Sequence, residues 1–342
     1  MKYFNCDYTE GMVKEILDRV VATNMEQTIG YGEDKYSDNA REKIKKACGV
    51  SGDVHFFVGG TQTNLTFISS ALRPHQAVIS AESGHINVHE TGAVENCGHK
   101  VLALPSPDGK ITAAQVEEEY TKHENDESRI HSVQPKLVYI SNPTELGTTY
   151  TQAELGELYD VCQKNELILY IDGARLAYGL ADTKNKTTLS FIANHCDALY
   201  IGGTKCGAMF GEALIIMKED LKADFSYLVK QKGALLAKGR MLGLQFDTLF
   251  SDGLYERIGQ HGVAMAAIIR EACKRAGYDF LVANETNQVF PIIPSEKLNE
   301  LRSKYQFMGM GEVKAGYEAV RFCTSWATSK EDVEALASSL LL

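Results

Sequence analysis

The sequence predicts an α/β fold built on a mainly parallel sheet, with a smaller α+β domain at its C-terminal end. Three observations point there. Residues 167–171 and 198–201 are unbroken apolar runs rich in β-branched and aromatic side chains, the pattern of strands buried on both faces of a parallel sheet. Shorter apolar runs at 54–58, 77–80, 100–103, 136–141 and 212–217 alternate with helical patterns, as successive strand–helix–strand units do. Beyond residue 240 the order changes to long helices at 240–277, a strand at 288–293, a helix at 295–304, a strand at 319–324 and a helix at 330–342. The expected division is therefore a large domain over residues 1–240 and a small one over 241–342, with residues 1–20 packing on the small one.

The chain has 342 residues and a net charge of −10, with no basic run, so nucleic acid and anionic membrane surfaces are excluded as partners. Its 8 cysteines form no Cys-x-x-Cys pair and no metal-type spacing, which points to a reducing, cytoplasmic setting. Met1 to Asp7 lacks a hydrophobic leader core, and no stretch approaches the roughly 18 consecutive apolar residues of a membrane span.

In chain order, Val13, Ile16, Leu17 and Val20 mark an amphipathic helix, and the glycine-bearing loop 30–38 leads to a helix over 39–48. The strand at 54–58 ends in Gly59-Gly60-Thr61-Gln62-Thr63-Asn64, and Leu65, Ile68 and Leu72 then give a helix. Strand, glycines, hydroxyls and helix together present free N–H groups and the positive dipole end to an anion, here a phosphate. It is not a Walker loop, because no Gly-Lys-Ser/Thr follows, and no Gly-x-Gly-x-x-Gly marks a dinucleotide site. The strand at 77–80 runs into Glu82-Ser83-Gly84-His85, where a neutral imidazole can stack on a cofactor ring. His85 and His89 also have a spacing that suits a metal, but no third ligand accompanies them and the pattern is not His-Glu-x-x-His, so no metal is expected. The strand at 136–141 stops at Asn142-Pro143, which puts Asn142 at the sheet edge within reach of an oxygen on such a ring.

Two strands then deliver opposite charges. Residues 167–173 end in Asp172-Gly173-Ala174-Arg175, and residues 198–202 end in Gly203-Thr204-Lys205. Ligands of open α/β sheets bind outside the carboxyl ends of the strands, so Asp172 and Lys205 should face one crevice. A lysine that condenses with a carbonyl, and an acid that keeps a ring nitrogen protonated, are the requirements of pyridoxal 5′-phosphate. Lys230, Lys232 and Lys238 read as a solvated face, or as a source of one phosphate contact, within the chain or across a subunit interface. Arg321, inside the apolar strand 319–324, needs an anion: a substrate carboxylate or an internal acid.

These residues resemble the low-specificity L-threonine aldolases and β-eliminating lyases, pyridoxal phosphate enzymes of the aspartate aminotransferase fold type. The resemblance is carried by Gly60-Thr61, Glu82 to His85, Asp172 to Arg175, Thr204-Lys205 and the Arg321 strand. It implies a seven-stranded large-domain sheet, a Schiff base on Lys205, His85 on the ring, Asp172 on the ring nitrogen, and Gly60 and Thr61 on the phosphate. Arg175 would lie near the ring hydroxyl or the substrate, and Arg321 would take the substrate carboxylate. His131 looks like the second histidine that faces the substrate hydroxyl, so His85 or His131 would act as the base. The implied reaction splits L-threonine or L-allo-threonine into glycine and acetaldehyde, in a homodimer or homotetramer. Other reactions of the same cofactor (β-elimination, racemisation, transamination) and a non-catalytic cofactor-binding relative are the alternatives. Two departures bear on substrate choice: Cys6 stands where many aldolases carry a carboxylate-binding serine, and Asn142-Pro143-Thr144-Glu145 replaces an Asn-Thr-His-type loop.

Overall fold

The computed structural model describes all 342 residues, Met1–Leu342. A short strand β1 (Lys2–Tyr3) precedes the central sheet. That sheet comprises β2 (Asp53–Phe57), β3 (Gln76–Ala81), β4 (Val101–Leu104), β5 (Gln134–Ser141), β6 (Ile168–Gly173), β7 (Ala198–Gly202) and β8 (Glu212–Ile216), in the order β2-β8-β7-β6-β5-β3-β4. Strands β3 to β7 run parallel, and β8 is antiparallel to both of its neighbours. β3, β6, β7 and β8 are buried along their whole length, which is why they read as unbroken apolar runs and not as alternation.

The pleat divides these runs between two cores. Leu169, Ile171, Leu199 and Ile201 point into a cluster of 41 buried residues on one face. Ile168, Tyr170, Ala198 and Tyr200 point into a cluster of 18 on the other. Register then aligns the strand ends along one edge: Ser141 sits opposite Asp172, Asp172 opposite Tyr200, and Glu212 opposite both Gly202 and Phe57. Because β8 reverses twice, the carboxyl ends of β2, β5, β6 and β7 share that edge.

The C-terminal part adds β9 (Asp279–Phe280), β10 (Gln288–Val289), β11 (Pro291–Pro294), β12 (Tyr305–Gln306), β13 (Met308–Lys314) and β14 (Tyr317–Cys323). β14 pairs antiparallel with β10, β11 and β13, and a third cluster of 16 buried residues lies beneath. The single strand expected over 288–293 is interrupted at Phe290. β13 escapes a sequence reading because all of its residues are exposed and none alternates.

Three expectations need correction. The helix expected from residue 39 is Lys35–Cys48, because Asp34 caps it: Oδ1 accepts from the N–H groups of Tyr36 and Ser37, each at 3.0 Å. Residues 1–20 do not all pack on the small sheet. β1 pairs with β12 and Phe4 joins the third core, but Val13 and Ile16, at the start of the helix Lys14–Thr23, enter the large core. The cores also divide later than residue 240. Leu254, Tyr255, Ile258 and Val263 of the helix Leu254–Arg275 lie in the large core, whereas Met265, Ala266, Ile269 and Cys273 of the same helix lie in the third. Helical periodicity reveals an apolar face without saying which core it meets.

This helix crosses close to the chain at Ala177, and Gly259 permits the approach: a Cβ there would collide with the Ala177 carbonyl oxygen, a backbone atom with no room to yield. Gly259→Ala should therefore lower the unfolding free energy by about 1–3 kcal/mol, the usual cost of overpacking, read from urea midpoints against the parent chain.

Candidate active site

The aligned strand ends open into one crevice. Gly60, Thr61, His85, Asp172, Arg175, Thr204 and Lys205 line it together, as the strand-end argument requires. Its floor is Asp172, a carboxylate only 4% exposed. Oδ2 accepts from Tyr139 Oη at 2.7 Å and from Asn64 Nδ2 at 3.0 Å, and Oδ1 accepts from the Ala174 N–H at 2.9 Å. Asn64 in turn accepts from Tyr170 Oη at 2.8 Å and donates to Glu90 Oε1 at 2.8 Å, and Glu90 Oε1 lies 2.7 Å from His85 Nδ1. One buried chain of polar groups thus links the strand-end acid to the imidazole above the crevice. Neither Asn64 nor Glu90 stood out in the sequence, although Asn64 closes the Gly-Gly-Thr-Gln-Thr-Asn run.

Lys205 follows β7, and its ammonium makes no ion pair within the chain. Burial, and after it the Arg175 guanidinium, hold that ammonium below the usual lysine range, which favours the nucleophilic amine. Arg175 is itself engaged: Nε lies 2.7 Å from Asp7 Oδ2, and Nη2 lies 3.0 Å from Asp7 Oδ1. Burial alone would raise the Asp7 carboxyl, but Arg175 and then Lys205 outweigh it, and the group sits below the usual carboxylate range. Asp7 also accepts from Asn287 Nδ2 at 2.9 Å, so one N-terminal acid ties the large sheet to the small one.

At the other side of the crevice, the helix Gly60–Ala71 points its N-terminus inward behind Gly59. A Cβ at Gly60 would stand 2.8 Å from Tyr200 Oη, so the bare backbone there leaves space that a side chain would fill. Thr204 Oγ1 donates to Glu212 Oε1 at 2.7 Å and the Gly203 N–H donates to Glu212 Oε2 at 2.9 Å, clamping the loop that carries Lys205. Burial pushes the Glu212 carboxyl up to about 7, against these hydrogen bonds. Its signal in the sequence was an acid opening an apolar strand. A second acid, Glu145, accepts from the His85 N–H at 2.8 Å and from Ser141 Oγ at 2.6 Å, while its Oε2 is buried without a partner. Burial raises this carboxyl too. An inward helix terminus, a bare glycine cradle, an amine and a buried carboxylate together fit a phosphorylated, nitrogen-bearing aromatic aldehyde.

Several expected residues lie elsewhere. Asn142 turns Oδ1 to the Tyr150 N–H at 3.2 Å, because that loop needs an acceptor; Ser141, Pro143 and Glu145 face the crevice instead. His131 is exposed in a short turn ahead of β5, at the end of the strand opposite Ser141. Eight residues at about 3.3 Å each put it more than 20 Å from the crevice of its own chain. Cys6 does not line the crevice, whereas Tyr8, two residues on, does. Arg321 has no acid partner: Nη1 donates to Gln288 Oε1 at 3.2 Å, Nη2 to the Asn5 carbonyl at 2.8 Å, and Nε is buried unpaired. The internal salt bridge open to it on sequence grounds does not form. Lys230 lies over the Tyr31 ring at 4.8 Å and Lys232 Nζ lies 3.5 Å from Cys97 Sγ; neither these nor Lys238 lines this crevice.

The model for the family described as Beta-eliminating lyase matches residues 4–316. A low specificity L-threonine aldolase of a Pseudomonas species is 30% identical over 345 residues, covering 98% of this chain and 96% of that protein. A solved structure of Leishmania major threonine aldolase is 44% identical, with a TM-score of 0.96 over 99% of this chain and 98% of that one. An aspartate aminotransferase from Thermus thermophilus, 15% identical with a TM-score of 0.72 and covering 99% of this chain and 90% of that one, shares the fold.

Glu212 offers a direct check on the electrostatics. A carboxyl raised from 4.5 to about 7 binds more protons folded than unfolded, so its contribution to stability is present below pH 4.5 and is lost as pH rises to about 7. Glu212→Gln should flatten that part of the pH dependence in the cofactor-free protein, measured as urea midpoints between pH 4.5 and 8.

Proposed function

The chain belongs to the β-eliminating lyase family and is a pyridoxal phosphate-dependent lyase; from that premise we propose that it cleaves L-threonine or L-allo-threonine to glycine and acetaldehyde. The observation that carries this reading is the convergence of Lys205, Asp172 and the N-terminus of the helix Gly60–Ala71 on one crevice. An arginine without an acid partner, Arg321, stands on the neighbouring sheet.

Bound pyridoxal phosphate supplies an aldehyde that condenses with amines and a ring that accepts electron density from an amino acid's α-carbon. The chain's own residues do the rest. Lys205 offers an amine whose proton is easily lost. Asp172, fixed by Tyr139, Asn64 and Ala174, holds a proton at the ring nitrogen. The N–H groups at Gly60 and Thr61 receive the phosphate. His85, its orientation set by Glu90, would contribute an imidazole face to holding the ring. Arg321 receives the substrate carboxylate with its free donor, and Arg175, already neutralised by Asp7, lowers the lysine's proton affinity.

A small amino acid as substrate suits a crevice of this polarity. Eight unpaired cysteines favour a reducing cytoplasm, and no helix is long and apolar enough to cross a membrane. The fold's usual assembly favours a homodimer or homotetramer.

Purified protein given threonine and pyridoxal phosphate should release glycine and acetaldehyde in equal amounts. Lys205→Ala should lose this turnover by orders of magnitude, together with the visible absorbance that borohydride abolishes. Full cleavage by Lys205→Ala, or no cleavage by the parent enzyme, would overturn the assignment.

A further inference from the structure

Cleavage of a β-hydroxy amino acid needs a base at the hydroxyl, and a second imidazole stands beside His85. His85 and His89 flank the single helical turn His85–Val88, closed by the His89 N–H donating to the His85 carbonyl at 2.9 Å. Their ring centroids lie 5.7 Å apart. The two rings differ in what holds them. His85 Nδ1 is committed to Glu90, whereas the exposed His89 ring has no hydrogen-bond or ion-pair partner in the chain and keeps both nitrogens available.

Resting on the threonine-cleaving reading above, we propose that His89 is a catalytic residue of this site, the base that takes the β-hydroxyl proton of the substrate and passes it to solvent. In that step the O–H bond breaks and its proton goes to a ring nitrogen of His89. The O–H electron pair becomes the second carbon–oxygen bond of acetaldehyde. The Cα–Cβ pair stays with Cα, which takes up a proton to become the methylene of glycine. No oxidant or reductant is consumed. The proton leaves by the exposed side of His89.

The surroundings keep His89 in the form this role needs. Partial burial comes first among the causes, and the basic side chains around it come next: His85 on its own turn, Arg321 from β14, Lys205 after β7 and Arg175 after β6. All act in one direction, holding the imidazolium below its ordinary range, so that the ring is neutral and basic near pH 7. His131, the alternative, is exposed beyond the far end of β5.

The test compares the parent holoenzyme with His89→Gln, His89→Phe and His131→Asn on two reactions: threonine cleavage across pH, and exchange of the glycine α-proton with deuterated water followed by NMR. Exchange uses Lys205 and Asp172 but no β-hydroxyl, so it also reports whether the site is folded and loaded. Both His89 variants should lower the ratio of cleavage to exchange by about 10²-fold or more, the scale of a lost general base. The acid limb of the cleavage profile, which falls as His89 gains its proton, should vanish from the residual activity. An unchanged ratio and limb would overturn the proposal. So would an equal loss of both reactions in both His89 variants, or a comparable fall in the ratio for His131→Asn alone. If the parent enzyme exchanges glycine without cleaving threonine, the functional reading fails first and takes this inference with it.

Discussion

The crevice depends on satisfying one buried carboxyl group with hydrogen bonds. Removing a charge from water costs several kcal/mol unless hydrogen bonds replace its hydration, and Asp172 recovers that cost through three donors on three segments: Tyr139 on β5, Asn64 on the helix after β2, and the Ala174 N–H beyond its own strand. Those donors fix how β5, β6 and that helix sit relative to one another. The demand for hydrogen-bond donors at the strand end thereby becomes a geometric constraint on the sheet. Through Asn64 and Glu90 the same constraint reaches His85, so floor and cover of the crevice are set by one network.

Around this floor the charges are arranged in opposition. Arg175 is close enough to depress Lys205 yet is paired with Asp7, which prevents two cations from standing side by side uncompensated. Burial raises the carboxyls of Glu212 and Glu145, which moves each toward its uncharged form beside the place where a phosphate or a substrate carboxylate must enter. Arg321, like Lys205, lacks an acid partner, so an uncompensated positive charge stands on the small sheet.

Much of this arrangement was legible in the sequence, for stated physical reasons. Strands buried on both faces write themselves as continuous apolar runs, and their carboxyl ends mark the site, so Asp172, Thr204 and Lys205 were found together. Gly60 and Thr61 were legible because a helix N-terminus needs unhindered N–H groups. What escaped was set by tertiary contacts. The partners of Asp172 come from positions 64 and 139, and nothing local distinguishes Asn64 from a residue inside any polar helix. Asn142 was misread because its side chain serves the loop at Tyr150, which only the folded turn reveals. His131 lies away from the crevice of its own chain, because a family pattern gives a position along the chain, whereas the end of β5 on which that position falls is a property of the sheet.

The N-terminal segment holds a feature with a consequence beyond the finished structure. Phe4 accepts from the Cys323 N–H at 2.8 Å, the Asn5 carbonyl receives Arg321 across 316 positions, and Asp7 is bound by Asn287. These residues therefore leave the ribosome well before partners that lie up to 316 positions further along the chain. At roughly 5–20 residues per second, the segment waits roughly a quarter of a minute to a minute for those partners, exposed to proteases and to wrong pairing. Until Asn287 has been synthesised, Asp7 is clasped by Arg175 alone, and until β14 follows Arg321 is absent, so the nascent chain has a nearly complete large sheet while its amino-acid receptor is still unmade.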